Sequence, residues 1–538
     1  MRRVNLLEAL TDNIIVDPAK CVFCGECVEV CVLDNLRIRL APCRSACPLG
    51  VNCQGYVQLI SRGEEEKAFQ VLTKTLPFPG ILARVCTAPC ETACHRKVET
   101  GEAVAMRALK RYLVDTMDGK ERNIPEVGED SGRKAAIVGS GPAALMAAFE
   151  LRRRGHGVTL FEAESEPGGM LRWAIPEFNL PARVVAEEIA LLERMGAAIE
   201  CGVKVGKDKS LDELKREFDA VIIAVGCGGH ARLGIEGEDL EGVFHGLPLL
   251  KDVRLRKAPH LSGTTVIIGG GNVAVDAART ALRLGADKAR VVSLETEGEL
   301  PAFKKIIETA VEEGIAFDHG WGPMRIKERN GKVKAIELQK CLGVLDERGR
   351  FNPRFDSCEL KTVEADQVIV AIGLKRDNAC LDGSSTLGPE DLKADPLTLA
   401  IPDGKVFLAG DFAGGPSSVV EAMALGKAAA ESVDRYLRGK HLTYGRSFAG
   451  PVEMEFEIDT SNASDLGRIQ PPFRRCEGKG DFNEVSGSID KEQARAEASR
   501  CYSCGGPFGK YRTCWFCLPC EVECPEKALR VEIPFLLR

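Results

Sequence analysis

Apolar residues in this chain fall into short continuous runs, amphipathic stripes and long polar intervals, which predict buried strands, helices and links respectively. The run at 135–138 (AAIV) reads as a strand buried on both faces. It passes through Gly139 and Gly141 into a helix over 142–154 and a second strand ending at Glu162. An amphipathic helix is expected over 182–195, and the apolar run 220–226 (AVIIAVG) is a further strand ending at Gly226. The opening succession then repeats: a strand at 264–268, Gly269 and Gly271, a helix to about residue 284, and a strand over 289–294. The run 366–373 (DQVIVAIG) ends in Gly373, and a short strand before Gly410 and Asp411 leads into a helix over 417–437. Upstream, 57–80 reads as a helical hairpin broken by Gly63 and stopped by Pro77 and Pro79. Residues 119–133 and 441–500, polar and rich in small residues, read as links.

The two strand, glycine turn, helix, strand units carry chemistry. In the first, Gly139 permits the tight turn, Gly141 lets a pyrophosphate approach the backbone where Pro142 opens the helix, and small Ala144 lets helix and strand pack closely. Glu162, 23 residues beyond Gly139, stands where a carboxylate accepts hydrogen bonds from an adenosine ribose. In the second unit Gly269, Gly271 and Ala274 repeat the pattern, with Asn272 and Val273 between them, and Glu295 lies 26 residues past Gly269. A carboxylate there suits the free 2'-hydroxyl of NAD and repels the 2'-phosphate of NADP, which favours NADH. The alternative is that Glu295 is a solvated strand end. Asp411, at the end of its strand, can accept a ribityl hydroxyl hydrogen bond, and the helix N-terminus at Ser418 and Val419 can stabilise negative charge near a flavin. With Gly168, Gly169 and Met170, Gly226, Gly373 and Gly410, these positions make an FAD site and an NAD(H) site.

With 538 residues, about three to four domains are expected at ~100 to 200 residues each. A net charge of -7 gives none of the basic excess of a nucleic-acid binder, and no stretch approaches the ~18 apolar residues of a membrane span. The N-terminus, MRRVNLLEALTDNIIVD, lacks the apolar core of a signal peptide, so a cytoplasmic location is expected.

The 22 cysteines could mean a disulfide scaffold, but that class is short and secreted, and their spacing points to metal instead. Cys21, Cys24, Cys27 and Cys31 have the CxxCxxCxxxC spacing in which three thiolates hold one iron-sulfur cubane and the fourth reaches a neighbouring cluster, although Val32 replaces the usual proline. Zinc sites tend to pair CxxC units without this third and fourth spacing. Cys514, Cys517, Cys520 and Cys524 repeat the pattern with its proline, so the two termini could assemble one two-cluster ferredoxin fold in which Cys31 and Cys524 each cross to the other cubane. Independent clusters are the alternative. Cys43 and Cys47, and likewise Cys86, Cys90 and Cys94, recur every four residues, a spacing that can place thiolates on one helix face. Cys53 is either a further ligand or a buried thiol. Cys227, with no cysteine nearby, reads as a small buried apolar residue.

On PCRSACP, PFPGILARVCTAPCETAC, IVGSGPAAL, PGGMLRWAIPEFNLP, GGGNVAVDAAR and AGDFAGGPSSVVEAMALGKAAA, residues 41 to about 510 resemble the family of the glutamate synthase small subunit, the N-terminal part of dihydropyrimidine dehydrogenase and the large subunit of NADH-dependent ferredoxin:NADP oxidoreductase. The resemblance implies a helical domain with two 4Fe-4S clusters beside an FAD domain and a nicotinamide domain. NADPH-linked members carry paired arginines where this chain has Glu295 and Thr296. Members place an RCxxCG pair just before the CxxxCP element, an interval that here holds Asn35 and Ile38; Cys501 and Cys504 in EASRCYSCG resemble that pair relocated. By this resemblance Cys43, Cys94, Cys501 and Cys504 share one cluster, which folds the C-terminal tail back onto the N-terminal domain. Cys47, Cys86 and Cys90 hold a second, whose fourth ligand in relatives is Gln or Glu. Lys110 stands at that position, a poor ligand because its amine is normally protonated. The fourth ligand is thus left open: Cys53 is the obvious substitute, and an incomplete or absent cluster is the alternative.

The expected class is α/β, with an FAD domain split by an NAD domain. The expected boundaries are a ferredoxin-like segment at 1–40, the helical iron-sulfur domain at 41–130, the FAD domain at 131–255 and 376–440, the NAD(H) domain at 256–375, a belt at 441–500 and a C-terminal iron-sulfur segment at 501–538. The expected activity is electron transfer between NADH, FAD and three to four clusters, toward partner redox subunits or ferredoxin, in a hydrogenase, a formate dehydrogenase or a bifurcating complex. A glutamate synthase small subunit and a non-catalytic relay scaffold are the alternatives.

Overall fold

A computed structural model describes residues 14–32, 35–120, 122–446, 450–461, 463–510, 514 and 516–532. The reading of the N-terminus falls mostly on 1–13, outside the described residues. No helix among them is long and apolar enough to cross a membrane. The chain forms two compact units, one of Met1–Asn123, His441–Pro472 and Ser488–Arg538, the other of Ile124–Lys440 and Phe473–Gly487.

The second unit contains two parallel five-stranded sheets. In the first, Val406–Leu408, Ala220–Ile223, Lys134–Val138, Gly157–Glu162 and Ala198–Cys201 lie side by side in that order. Ala220–Ile223 and Val406–Leu408 are buried throughout, as strands covered on both faces must be. Lys134–Val138 sits where the strand order reverses, so the turn after it opens at the crevice where open α/β sheets bind ligands. The helices Pro142–Arg153 and Val419–Leu437 cover this sheet and cross closely: a methyl at Gly426 would lie 2.1 Å from the Ala143 carbonyl oxygen.

The second sheet has the order Ala316–His319, Lys288–Ser293, Thr264–Ile268, Gln367–Val370 and Val243–His245. Its last strand is followed by the helix Gly246–Arg254, packed on Asn272–Arg283. The expected boundary at 255/256 therefore cuts through this domain, because 243–254 supplies an edge strand and a covering helix. An antiparallel sheet of Trp321–Arg329, Lys332–Leu345 and Phe351–Glu364 completes it. Sequence reasoning missed that sheet, although Asn330 and Gly331, both with positive φ, are the Asn-Gly pair of a hairpin turn.

The first unit joins both chain ends. Ile14–Val16 pairs antiparallel with Leu529–Val531, and Leu36–Arg39 pairs with Gly506–Gly509 and Val452–Glu453. The short helices Glu26–Glu29 and Pro519–Val522 pack on this framework. The remainder is helical: Cys53–Arg62, Glu65–Thr73, Pro79–Val85 and Met106–Thr116. Gly63 ends the first helix in the left-handed region, as expected, but Pro79 opens a helix rather than stopping one, which suits its missing N–H. The belt is not one link: 473–487 belongs to the second unit, and Lys491–Ala498 is a helix packed on Cys53–Arg62 and Met106–Thr116.

Candidate functional site

Each nucleotide turn is closed by backbone. A methyl at Gly139 (φ 102°) would lie 2.7 Å from the Ala224 carbonyl oxygen, and one at Gly269 (φ 140°) 2.2 Å from that of Ala371. A side chain at either position would collide with the backbone that follows the neighbouring strand. In the first site Gly169 (φ 52°) approaches Gly141 so closely that its Cβ would stand 2.8 Å from the Gly141 Cα, while Gly168 (φ 134°) donates its N–H to the Ser140 hydroxyl at 2.8 Å. Ser140, not singled out from the sequence, is buried and donates to Glu162; the other Glu162 oxygen accepts the Glu164 N–H at 2.8 Å. This network fixes the acidic strand end beside the turn, where a ribose would lie.

Opposite, Gly410 (φ 60°) abuts Ala143, with its Cβ position 2.7 Å from the Ala143 methyl. The Asp411 carboxylate accepts a hydrogen bond from Ser417 at 2.6 Å, and burial raises its pKa. A ribityl hydroxyl donor would offset that desolvation. Ser418 caps the helix reciprocally with Glu421, so its hydroxyl serves the helix, while Val419 and Met170 each open a helix. Ala144 is fully buried against its strand, and Gly226 (φ 69°) ends the neighbouring strand region. Cys227 is 97% buried and donates to the Asp411 carbonyl at 3.4 Å.

In the second site the loop after Lys288–Ser293 folds over the glycine turn. A methyl at Gly270 would stand 2.7 Å from a Glu295 carboxylate oxygen, and the Ala302 N–H donates to the Gly270 carbonyl at 3.0 Å. Glu295 is thus held beside the turn. The Asn272 side chain accepts the Phe303 N–H at 2.9 Å and so orders the loop. Ala274 is fully buried, Val273 half-buried, and Gly373 (φ 126°) follows the strand Gln367–Val370. The two domains interlock: Lys251 pairs with Glu164 at 2.6 Å, and Asn179 donates to Asp276 at 2.9 Å.

The cysteines gather around cavities. Cys21, Cys24, Cys27 and Cys524 line one, and Cys31, Cys514, Cys517 and Cys520 line another. Each motif thus contributes three thiols to one cavity and one to the other. Among the described residues no three His, Cys, Asp or Glu side chains surround a single ion position. Thiols spread around a volume match a cluster several ångströms across.

In the helical part the Cys43 thiol lies beside Cys53 and near Cys501 and Cys504, and Cys94 lies near both of the latter. Cys47 and Cys90 are neighbours, and Lys110, buried and 3.5 Å from the Leu82 carbonyl oxygen, is surrounded by Cys86, Cys90, Cys53 and Cys47. Burial works against the Lys110 charge, but those thiols outweigh it and raise its pKa. The four-residue spacings do not create a helix face here. Cys86 is extended, Ala88 is left-handed, Cys90 lies in the short helix Pro89–Thr92 and Cys94 caps the next, so an irregular loop rather than one helix face carries these three buried cysteines.

Left-handed non-glycine residues occur inside the cysteine loops: Phe23, Ala88, Ser503 and Phe516. Such conformations cost about 1–3 kcal/mol each. They turn N–H groups toward sulfur, with Phe23 donating to Cys21 at 3.4 Å, Ala88 to Cys86 at 3.3 Å and Ser503 to Cys501 at 3.5 Å. Asn35 and Leu36 donate to Cys31, both at 3.3 Å, and Ala528 to Cys524 at 3.2 Å. As free thiols, Cys21 and Cys520 are pushed by burial up to about 11, and Cys27 and Cys501 up to about 12. A bound cation reverses that preference, so the donor set fits iron-sulfur clusters.

The tail is held by charges that sequence reasoning did not find. Glu497, fully buried, accepts the Ala105 N–H at 2.7 Å, the Ile469 N–H at 2.8 Å and Arg500 at 2.6 Å. Arg96 donates to the Arg500 carbonyl at 2.9 Å, and Gln54 to that of Cys504.

Two dinucleotide folds in one unit, with cysteine-lined cavities in the other, define a flavin- and pyridine-nucleotide-dependent oxidoreductase with an iron-sulfur domain. Residues 133–426 match the model of the pyridine nucleotide-disulphide oxidoreductases, and 6–122 that of dihydropyrimidine dehydrogenase domain II, 4Fe-4S cluster. The chain belongs to the pyridine nucleotide-disulphide oxidoreductase family. It is 34% identical over 509 residues to the NADP(+)-dependent formate dehydrogenase subunit beta of Moorella thermoacetica, covering 86% of this chain and 70% of that one. It is 30% identical over 507 residues to the NADPH-Fe(3+) oxidoreductase subunit beta of Geobacter sulfurreducens, covering 86% and 75%. Over 450 residues it is 30% identical to the NAD-dependent dihydropyrimidine dehydrogenase subunit PreT of Escherichia coli, covering 82% and 99%. Among solved structures, FprA of Mycobacterium tuberculosis in complex with NADPH superposes with a TM-score of 0.50 at 20% identity over 57% of this chain and 85% of that one, a likeness of fold.

Proposed function

We propose that this chain is the NADH-linked subunit of a multi-subunit redox complex, carrying electrons between NAD(H), FAD and four 4Fe-4S clusters to or from a partner redox protein. The observation that carries it is the exchange of cysteines between the termini, Cys524 completing the Cys21, Cys24 and Cys27 cavity and Cys31 that of Cys514, Cys517 and Cys520. Four groups of cysteine ligands exceed what one flavin reaction needs and suit a wire. When bound, FAD exchanges electron pairs with nicotinamide and single electrons with clusters. The chain's own residues hold and orient. Gly141 and Gly271 admit pyrophosphates, Glu162 and Glu295 accept from riboses, and Asp411 accepts from the ribityl chain.

Support for NADH is local. Glu295 is held against the nucleotide turn, with Glu297 and Glu299 following, a poor setting for a 2'-phosphate. The relatives include both NADP- and NAD-dependent proteins. Partners of the formate dehydrogenase kind fit the named Moorella subunit. The test is anaerobic reduction of the cluster-loaded protein by NADH and, separately, NADPH, with iron counted per chain. Rapid flavin bleaching by NADH alone, with about sixteen irons for four cubanes, is expected. Preference for NADPH overturns the Glu295 assignment, and absence of bleaching overturns the enzymatic reading.

A further inference from the structure

Three cysteines, Cys47, Cys86 and Cys90, leave one corner of the second helical-domain cluster without a ligand. Two buried side chains compete for it. Lys110 has its amine among the thiols, but an ammonium has three donors and no lone pair. Cys53 opens the helix Cys53–Arg62, is 97% buried, and lies beside Cys90, Cys47 and Cys43. Its backbone is fixed by Asn52, whose side chain caps the helix through the Gly55 N–H at 3.0 Å and donates to the Val22 carbonyl at 2.8 Å. Other polar groups nearby are committed: Glu91 accepts the Arg107 N–H at 2.8 Å and binds Arg468, and His95 pairs with Glu99 at 3.4 Å.

We propose that Cys53 is the fourth ligand of the cluster held by Cys47, Cys86 and Cys90, and that Lys110 is its buried counter-cation. This rests on the reading of four cubanes given above. Ligation releases the Cys53 proton to solvent and forms one iron–sulfur bond, completing a four-thiolate set. Four thiolates around a cubane give a buried anion that gains a further charge on reduction. The Lys110 ammonium offsets that charge and favours the reduced state. The contact of Cys53 with Cys43 also makes this ligand the short link to the neighbouring cluster.

The experiment uses the full chain, loaded with clusters and purified anaerobically, with iron, acid-labile sulfide and FAD per chain and the electron paramagnetic resonance of the reduced protein as readouts. Cys53→Ala is expected to lose one of four cluster signals, or convert it to a three-iron type, while FAD and the other signals stay. Cys53→Ser, closer in size, is expected to keep the iron with an altered signal from that cluster. Lys110→Met is expected to retain all iron and shift that cluster to lower potential. Full iron and four unchanged signals in both Cys53 variants overturn the assignment, as does loss of the same cluster in Lys110→Met but not in Cys53→Ala. A wild-type protein with about twelve irons instead overturns the four-cluster reading itself, three cubanes being all it then holds.

Discussion

Asp276 shows how one residue can make the nucleotide domain sensitive to pH. It lies on Asn272–Arg283, accepts the Asn179 amide at 2.9 Å and has Arg279, Arg283 and Glu313 as charged neighbours. Burial pushes its carboxyl up to about 6, with Arg279 opposing. The folded protein therefore holds this proton at pH values where the unfolded chain has released it. That stability is fully present below pH ~4 and is lost as pH rises through about 6. Asp276→Asn should remove this slope: between pH 5 and 7 the melting temperature of the variant should change less than that of wild type, and parallel profiles would refute the assignment. The neighbouring Phe178 was invisible as a binding residue in the sequence, where PEFNLP read only as a family signature. In three dimensions the Arg279 and Arg283 guanidiniums lie over its ring at 4.5 and 4.0 Å.

Among elements, the helix Asn272–Arg283 carries two tasks on two faces. Its N-terminus and small residues meet the glycine turn, while Arg279 and Arg283, both buried, meet Glu313 after the helix Lys304–Glu312. Arg283 binds Glu313 at 2.7 and 2.9 Å and Arg279 does so at 2.7 and 3.1 Å, and Arg283 also donates to the Asp481 carbonyl at 2.8 Å. Glu313→Ala would leave two guanidiniums buried without their carboxylate, a loss of about 3–5 kcal/mol. A lowered denaturant midpoint for this unit, with flavin content preserved under native conditions, is the expected outcome; an unchanged midpoint would show the pair contributes nothing. The glycine turns and their strands were legible because burial on both faces demands continuous apolar runs and the turn demands glycine. Glu313 was not, since a glutamate at a helix end reads as solvated until the two arginines are seen beside it.

For the whole molecule, the return of the tail decides which cysteines can share a cluster. Glu497→Ala would leave Arg500, 1% exposed, with only the more distant, exposed carboxylate of Glu102 at 3.6 Å, and the Ala105 and Ile469 N–H groups without an acceptor. Loss of the Cys501 and Cys504 cluster is expected, with iron falling by about four per chain while FAD remains bound; full iron retention would show that the tail docks without this charge. The sequence by itself determined the two nucleotide folds, the acidic strand ends and the local cysteine spacings, because each depends on residues within a few tens of positions and on one repeating geometry. It also offered, through the relocated RCxxCG pair, a long-range grouping that no spacing could test. The crossing of Cys524 to Cys21, Cys24 and Cys27 was one of two arrangements the spacings allowed, and the tertiary structure chose it; only the tertiary structure put Cys53 beside both Cys43 and Cys90 and added 243–254 to the second sheet. Those pairings join segments far apart in the chain, and they depend on which elements pack together, as Ile14–Val16 does on Leu529–Val531 and Val243–His245 on Gln367–Val370, which no local periodicity encodes.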